Sequence, residues 1–378
     1  MSRHQDKFEV IVIGMGGMGT ATTYHLARRG IDVLGLEQYD IPHSKGSSHG
    51  STRVIRKAYH EDASYVSLLH RAYELWEQLE TERDERLLYK TGSVSAGPPT
   101  SELVTGATEA CEEHSLTYDR LSAGELSERF PGFELPDGFE AVYQPDGGFV
   151  DAQNSVVAHV ERAHAHGAEI HGREAVEGWQ STTDGVRVTT EKGSYSADRL
   201  VISAGAWTGE LVETDDFSLS PERQALAWIQ PEKPDLFSMD SFPAFGVSDG
   251  ENLHYGTPVY GVPGVKIGRH HHFEQDVDPD EMDREPTDRD ERVLRDFADS
   301  YLRDGAGPTM GLKTCIYTNS PDENFVIDRL PNHSNVVVAG GFSGHGYKFA
   351  SVVGEIAADL AADGTTSHDI DLFSLDRF

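Results

Sequence analysis

The sequence predicts an α/β protein that combines a doubly wound, Rossmann-like domain with a second, α+β domain built on a mixed or antiparallel sheet. Three observations predict this fold. Residues 8–13 form an apolar run that enters a glycine-rich turn, and residues 335–339 do the same near the other end of the chain. Between them, residues 220–275 alternate apolar and polar side chains and are interrupted by proline and glycine, which indicates a β-rich region. A chain of 378 residues is long enough for two domains.

The first unit of the chain is a strand, a turn, a helix and a second strand. The run 8–13 is short and apolar, which is typical of a buried parallel strand. A helix is expected over residues 17–29, and Gly30 can adopt the left-handed conformation that ends a helix. Residues 32–37 then predict a second strand that ends in an acid.

The rest of the chain alternates helices and short strands. An apolar stripe predicts a helix after Asp62, and residues 87–150 indicate mixed short strands and turns. Another helix is expected over residues 152–166, with Asp151 as its N-cap. Further strands are expected at residues 186–190, 195 and 199–203, an acidic helix at 289–303, and a last helix that ends near 361.

The Rossmann-like domain is expected to be discontinuous, because its apolar strands lie at both ends of the chain. We assign to it residues 1–85, 145–220 and 305–378. The second domain, which would carry the substrate, is assigned residues 86–144 and 221–304.

The charge of the chain excludes some classes of partner. Asp and Glu number 64 against 32 Lys and Arg, a formal net charge of −32. Such a surface repels nucleic acid and anionic lipid. The acids are spread along the whole chain, which is typical of proteins adapted to molar salt, where the screening length is about 3 Å. We therefore expect a halophilic protein that binds neither nucleic acid nor membrane.

Location is inferred from three further features. No run approaches the roughly 20 apolar residues that a membrane-spanning helix needs. The polar N-terminus lacks the pattern of a signal peptide. The two cysteines, Cys111 and Cys315, form no disulfide framework and suit a reducing compartment. We expect a cytoplasmic protein, with Cys111 in a structural role.

A glycine motif predicts a dinucleotide site. Gly14, Gly16 and Gly19 match G-x-G-x-x-G between the first strand and the first helix. The first glycine allows the tight turn, the second lets the backbone approach a pyrophosphate, and the third lets helix and strand pack closely. The phosphates bind free N–H groups at the positive end of the helix dipole. Glu37, 18 residues after Gly19, is placed to bind a ribose hydroxyl, so the ligand is FAD or NAD and not NADP.

Three longer segments help to decide between FAD and NAD as the ligand. Residues 47–56 read SSHGSTRVIR, residues 313–328 contain KTCIY followed by PDENFVID, and residues 340–349 read GGFSGHGYKF. They resemble segments of the monomeric sarcosine oxidase and N-methyltryptophan oxidase family, which belongs to the D-amino-acid-oxidase-like FAD oxidoreductases. The spacings agree from end to end, so the resemblance covers nearly the whole chain. Ser48 and Ser51 depart from it, since the family carries His and Asp there.

The resemblance implies FAD as the cofactor, bound by the Rossmann-like domain and attached covalently through an 8α-S-cysteinyl link at Cys315. A helix N-terminus at residues 344–347, beside Lys348, would stabilise negative charge on the flavin ring. The motif and the resemblance together place these residues at the cofactor: Gly14, Gly16, Gly19, Glu37, Thr52, Cys315, Gly344, His345 and Lys348.

The resemblance also implies catalytic residues. Lys266 lies between Val and Ile in a strand-like run, where a buried lysine must pair or serve chemistry, and it is implied to activate oxygen beside the flavin. Arg56 and Lys348 are implied to bind the substrate carboxylate. The remaining residues implied to line the site are His49, Arg53, Tyr255, His270 and Tyr317.

The implied reaction oxidises the C–N bond of a small secondary amino acid such as sarcosine. A hydride equivalent passes to the flavin, the imine hydrolyses to an aldehyde and an amine, and oxygen is reduced to hydrogen peroxide. The implied partners are the amino acid and oxygen, with a monomer or small homo-oligomer as the assembly. Gly246 and Arg269 stand near positions where the family carries Met and Tyr, which leaves the exact amino acid open.

Without the family resemblance, each of these residues could also have an ordinary structural role. Taken alone, Cys315 would be a small buried apolar residue, and Lys266 would be an outward-facing lysine of a strand. Arg53 and Arg56 would be a surface pair of a loop, and the aromatic residues ordinary packing. A metal site at residues 270–272 is rejected, because alternation along a strand would send neighbouring histidines to opposite faces.

Two other functions also stay open. One is a flavin dehydrogenase that passes electrons to a carrier or quinone, which would turn over a dye without producing peroxide. The other is a flavin-binding subunit without turnover, whose flavin no amino acid would bleach.

Overall fold

The computed structural model describes residues 7–212 and 217–378. In these residues the α-helices are α1 (Gly17–Arg28), α2 (Tyr65–Arg83), α3 (Glu102–Glu113), α4 (Ala123–Arg129), α5 (Ala152–Ala165), α6 (Thr208–Leu211), α7 (Asp288–Tyr301) and α8 (Ala350–Asp363). Each of these helices is too short or too polar to cross a bilayer.

The strands in the same residues form three sheets. They are β1 (Lys7–Ile13), β2 (Val33–Leu36), β3 (Thr52–Ile55), β4 (Leu88–Tyr89), β5 (Ser93–Gly97), β6 (Asp119–Ser122), β7 (Glu140–Gln144), β8 (Gly148–Asp151), β9 (Glu169–His171), β10 (Val176–Thr182), β11 (Gly185–Thr190), β12 (Gly193–Ile202), β13 (Ser220–Ile229), β14 (Ala244–Ser248), β15 (Leu253–Thr257), β16 (Val265–Arg269), β17 (Gln275–Asp276), β18 (Thr309–Asn319), β19 (Val326–Leu330) and β20 (His333–Gly340).

The first sheet has a parallel centre. β1 pairs in parallel with β2 and β12, β2 with β9, and β12 with β20. β10 and β11 add an antiparallel edge, and β19 pairs antiparallel with β20. The sheet is therefore assembled from both ends of the chain, as the apolar runs at 8–13 and 335–339 predict.

Helices cover one face of this sheet. α1 packs between α5 and α8, and almost every α1 residue is buried. The contact between α1 and α8 is close, because a Cβ added at Gly354 would lie 2.4 Å from the Cβ of Ala21. The predicted ends of two helices are confirmed. Gly30 has φ +79° after α1, and the Asp151 carboxylate accepts from the Asn154 N–H at the start of α5.

The second sheet is mixed. Its order is β17-β13-β16-β15-β14-β5-β7-β6, with β18 paired to β13, and only the β14–β5 contact is parallel among these described strands. α7 packs against β13 and β16, and its N-cap residue Thr287 accepts from the Asp290 N–H. The predicted fold class, an α/β Rossmann-like domain with a mixed second sheet, is confirmed.

Sheet membership bears on the predicted domain division. β18 belongs to the second sheet, although residues 305–378 were assigned to the first domain. If the boundary followed sheet pairing, it would fall after Asn319. The segment that contains Cys315 would then belong to the second domain. The two-domain division itself stays a prediction.

Candidate active site

The glycine-rich turn leaves no room for side chains at two positions. Gly14 has φ +89°, and a Cβ there would lie 2.6 Å from the Ser203 carbonyl oxygen. A Cβ at Gly19 would lie 1.8 Å from the Gly14 carbonyl oxygen. The first and third glycines therefore hold α1 close against β1, which leaves the N-terminus of α1 at the carboxyl edge of the sheet. Gly16 is the N-cap residue of that helix.

Glu37 follows β2 beside this turn and is buried. Its carboxylate accepts hydrogen bonds from the N–H groups of Met15 (2.9 Å) and Tyr39 (3.0 Å). Burial alone would raise the pKa of Glu37, but His43 and the two N–H groups outweigh it and hold the pKa below its usual value. The acid is thus charged and fixed in position.

A cavity of about 350 Å³ extends from this turn across the edge of the sheet. The residues that line it include Gly14, Gly16, Glu37, Cys315 and Gly344. The three segments that carry the resemblance, together with the glycine turn, therefore share one cavity.

Arg53 and Cys315 meet inside this cavity. Arg53 donates to the carbonyl oxygens of Thr52 (2.8 Å) and Ser47 (2.6 Å), and its NH2 group lies 3.8 Å from the Cys315 Sγ. The guanidinium carbon also lies 5.7 Å from the ring centroid of Tyr347. Arg53 is therefore part of the site and does not belong to a surface pair.

Lys266 is 2% exposed, which excludes the outward-facing alternative. Its Nζ donates to the carbonyl oxygens of Gly50 (2.9 Å) and Thr52. The Thr52 hydroxyl pairs with that of Thr257 at 2.9 Å. Burial lowers the pKa of Lys266 well below its usual value, and the charge of Arg53 adds to the effect.

His49 is a buried histidine beside these residues. Neither of its ring nitrogens has a hydrogen-bond partner among the described residues. Burial, followed by the charges of Arg53 and Lys266, lowers its pKa to about 3. A neutral imidazole with two unpaired nitrogens is a feature that a bound ligand would satisfy.

Arg56 and Lys348 come together around one aromatic ring. The Lys348 Nζ lies 4.8 Å from the ring centroid of Tyr59 and the Arg56 Cζ 5.5 Å from it. Arg56 contacts His60 (2.7 Å) and Glu61 (3.4 Å). The pKa of Lys348 is lowered to about 7: burial is the main cause, the charge of Glu61 opposes it, and the charge of Arg56 adds to it. The structure thus pairs the two cations that the resemblance assigns to a carboxylate.

Three further predicted residues form a connected group. The Tyr317 hydroxyl donates to that of Tyr255 at 3.4 Å, and the His270 Nδ1 lies 3.4 Å from the Tyr317 hydroxyl. A Cβ at Gly344 would lie 2.3 Å from the Tyr317 ring, so this glycine allows the ring to pack on the turn after β20. Burial lowers the pKa of His270 well below its usual value, which keeps the imidazole neutral.

His345 lies apart from the cavity wall. Its Nδ1 contacts the Tyr59 hydroxyl (2.5 Å) and its Nε2 contacts the Glu323 carbonyl oxygen (3.0 Å). Its neighbours Gly344 and Gly346 line the cavity instead. The side chain is therefore oriented toward Tyr59, and its assignment to the cofactor stays a prediction.

The three histidines at residues 270–272 do not lie on a strand, which corrects the reason given against a metal there. These residues follow the end of β16, and His271 has φ +48°, so strand alternation does not apply to them. They differ in partners instead: His271 contacts Glu222 (2.7 Å), and His272 contacts Asp290 (3.0 Å).

Three residues near the site are not predicted from the sequence. The Ser48 hydroxyl accepts from the Gly17 N–H at 2.9 Å, at the start of α1. Tyr347 lines the cavity and packs against Gly17. The Tyr59 ring lies within 5.5 Å of both cations. Ser48 was noted only as a departure from the family, and Tyr59 carries no local signal because it lies in an irregular loop.

Relatives of known activity match almost the full length of the chain. It is 42% identical over 382 residues to the monomeric sarcosine oxidase of a Bacillus species, covering 100% of this chain and 98% of the relative. It is 36% identical over 378 residues to the N-methyl-L-tryptophan oxidase of Salmonella enteritidis, covering 98% and 99%.

Solved structures share the fold. NikD, an unusual amino acid oxidase essential for nikkomycin biosynthesis, matches with a TM-score of 0.85 at 27% identity over 98% of each chain. The L-proline dehydrogenase from P. horikoshii matches with a TM-score of 0.83 at 23% identity, over 99% of this chain and 98% of that one, a likeness in fold alone.

The family assignment rests on the length and level of these matches. The family DAO, FAD dependent oxidoreductase, matches residues 9–360. The two oxidase relatives exceed 30% identity over nearly the whole chain. The resemblance noted from the motifs is confirmed, and the chain belongs to the DAO family of FAD dependent oxidoreductases.

Proposed function

We propose that the protein is an amine oxidase that oxidises the C–N bond of a small N-methyl amino acid such as sarcosine, with oxygen as acceptor and hydrogen peroxide as product. The observation that carries this proposal is the pair of cations around Tyr59. Glu61 contacts Arg56 at 3.4 Å, and its charge raises the pKa of Lys348, so in the described residues this one carboxylate serves both basic groups. An amino acid carboxylate would supply the second negative charge, and a bare amine would not.

The residues present fit FAD. The turn at Gly14 and Gly19 has no room for side chains, Glu37 is placed for a ribose, and His49 carries unpaired ring nitrogens. FAD would be held by that turn at one end and by the segments of Cys315 and Gly344 at the other. When bound, it accepts an electron pair from the substrate and passes it to oxygen.

The substrate side is built from this chain's own groups. Arg56 can grip a carboxylate with two parallel N–H bonds, while Lys348 adds a point charge. The group formed by Tyr255, Tyr317 and His270 bounds the site and orients the amine. The contribution of these residues is placement and electrostatic support.

Lys266 is assigned to the oxygen reaction. Its Nζ is anchored by two carbonyl groups, so its position is fixed. Burial lowers its pKa, so a negative charge formed beside it would stabilise the ammonium form. Both would favour the transfer of electrons to oxygen.

A covalent flavin at Cys315 is part of the proposal. The thiol is free and buried, lines the cavity and lies near the Arg53 guanidinium. Intact mass spectrometry of the denatured protein should show the polypeptide plus flavin, and the added mass should vanish in Cys315→Ala. A native yellow protein whose polypeptide mass carries no flavin would contradict the link.

The substrate class is tested by anaerobic bleaching of the flavin absorbance in high salt. The panel contains N-methyl amino acids, L-proline, glycine and D-amino acids. We expect N-methyl amino acids to bleach the flavin, and admission of air to restore its colour with release of peroxide. Bleaching by D-amino acids alone would contradict the substrate class. Turnover of a dye without peroxide would favour the dehydrogenase.

We also propose that the protein works in molar salt, in the cytoplasm, as a monomer or small homo-oligomer. The even spread of acids along the chain supports the first point, and the two free cysteines support the second.

A further inference from the structure

Tyr59 lies in the loop between β3 and α2 and is fully buried. Other aromatic rings pack against it, with centroids 5.1 Å away at Tyr65 and 5.4 Å away at Phe349. The cations of Lys348 and Arg56 approach the same ring. The ring is therefore in contact with aromatic side chains and with both cations.

The hydroxyl group fixes the orientation of this ring. The Nε2 of His345 contacts the Glu323 carbonyl oxygen, which can only accept, so Nε2 carries the proton and Nδ1 accepts. The Tyr59 hydroxyl, 2.5 Å from Nδ1, is therefore the donor. Burial lowers the pKa of His345 to about 4 and raises the pKa of Tyr59 well above its usual value, so both groups are neutral at pH 7.

His345 also holds the lysine. The Lys348 Nζ donates to the backbone carbonyl oxygen of His345 at 2.6 Å. The side chain of His345 thus sets the tyrosine ring, and its backbone sets the ammonium group over that ring. Arg56 approaches from β3 and is tied to the adjacent residues His60 and Glu61.

We propose, on the basis of the proposed function, that Tyr59 is a positioning residue for the substrate carboxylate. Two cations repel each other, and the electron-rich ring face attracts both. Tyr59 thereby holds Arg56 and Lys348 at a spacing that one carboxylate can bridge. Without the ring, Arg56 keeps only its contacts with His60 and Glu61, and Lys348 keeps its contact with the His345 carbonyl oxygen, so their spacing is no longer fixed. The carboxylate then meets one charge instead of two.

The test compares two ligands of the flavin-loaded protein in high salt. Methoxyacetate has the shape of sarcosine with an ether oxygen in place of the amine, and methoxyacetamide lacks its charge. Their Kd values are read by calorimetry and by perturbation of the flavin absorbance. We expect Tyr59→Leu to raise the Kd of methoxyacetate about tenfold and to leave that of methoxyacetamide within about twofold. Tyr59→Phe, which keeps the ring face, should stay within about threefold of the wild type for both ligands.

The matched control is Tyr65→Leu. Tyr65 is equally buried in the same aromatic cluster, and its hydroxyl donates to Asn324, away from the two cations. We expect this variant to lose comparable thermal stability and to keep the preference for the charged ligand. Tyr59→Met fills the space without an aromatic face and serves if Tyr59→Leu does not fold.

The outcomes separate the two proposals. If the wild type binds both ligands equally, the carboxylate site is wrong and the positioning role falls with it. If the wild type prefers methoxyacetate and Tyr59→Leu or Tyr59→Met keeps that preference, the carboxylate site stands and the role of Tyr59 is overturned. An equal loss of preference in Tyr65→Leu would also overturn it, since the effect would then belong to packing.

Discussion

Two of the predicted site residues are buried lysines, and both donate their hydrogen bonds to backbone carbonyl groups. Lys266 contacts Gly50 and Thr52, and Lys348 contacts His345. Burial removes hydration that these contacts only partly replace, so it lowers the pKa of both lysines. Such groups are stabilised when a negative charge arrives, and both the proposed carboxylate and reduced oxygen bring one.

The pKa of Lys348 predicts a pH dependence for substrate binding. Because that pKa is about 7, the ammonium form is complete at lower pH and is lost as pH rises through 7. We expect the Kd of methoxyacetate to be lowest on the acid side of pH 7. It should rise on the alkaline side by at most about tenfold per pH unit. The measurement is Kd across a pH series at constant ionic strength. Lys348→Met should bind methoxyacetate weakly, and its Kd should not change as pH rises through 7. If the Kd of this variant still changes there, the titrating group is a different one.

Removal of the Lys266 charge should separate the two half-reactions. We expect Lys266→Met to slow reoxidation of the reduced flavin by on the order of a hundredfold and to slow its reduction by amino acid far less. Stopped-flow absorbance measures each step separately. Lys313→Met is the control, because Lys313 is an exposed lysine on β18 near the same site. Equal slowing of both steps by Lys266→Met would show that the residue does not act on oxygen.

At the scale of elements, β18 and the turn after β20 build the inner wall of the cavity. Residues 315–318 of β18 all line the cavity, Cys315 and Tyr317 among them. β18 is held by antiparallel pairing with β13, in which Cys315 is opposite Gln224. The cysteine segment is therefore positioned by the second sheet, while the glycine turn is positioned by the first.

The contact between α1 and β1 can be tested by adding one methyl group. A Cβ at Gly19 would meet the backbone at Gly14, which cannot yield as a side chain can. We expect Gly19→Ala to destabilise the protein by about 1–3 kcal/mol and to reduce its flavin content. Thermal unfolding and the ratio of flavin to protein absorbance measure both effects. Gly124→Ala in α4, where a Cβ meets nothing within 4 Å, should leave both unchanged or slightly raise stability. Full flavin content in Gly19→Ala would refute the close approach.

At the scale of the whole molecule, a net charge of −32 destabilises the folded state, because folding brings the like charges closer together. Like charges spread over the surface repel each other at all distances shorter than the screening length. Many acids are exposed and unpaired with bases, since acidic residues outnumber basic ones two to one. Salt is therefore expected to stabilise the compact state.

The salt dependence is measured by thermal or chemical unfolding. Between about 0.1 M and about 1 M salt the screening length falls from about 10 Å to about 3 Å. We expect the free energy of unfolding to rise by several kcal/mol over this range, and flavin to be retained best in high salt. A neutral osmolyte at equal osmotic strength is the control for excluded-volume effects. Unchanged stability without salt would contradict a halophilic protein.

Much of the fold was predictable from local patterns. The apolar runs of β1 and β20, the end of α1 at Gly30 and the N-cap Asp151 depend on residues within a few positions, so periodicity and backbone preference suffice. The same holds for the G-x-G-x-x-G turn and Glu37, whose chemistry follows from one strand–helix–strand unit. The long motifs identified the family, because their residue types and spacings are specific.

The convergence of the site was decided by the tertiary structure. Lys266 contacts Gly50 across 216 residues, and Tyr59 contacts His345 across 286, and no local pattern encodes such distances. The first contact joins β16 to the residue preceding Ser51 and β3, and the second joins the loop after β3 to the turn after β20. For that reason the sequence does not predict the role of Tyr59 or the pairing of β18 with β13. Secondary structure reflects short-range preferences, whereas a site built from four segments depends on long-range pairing and packing.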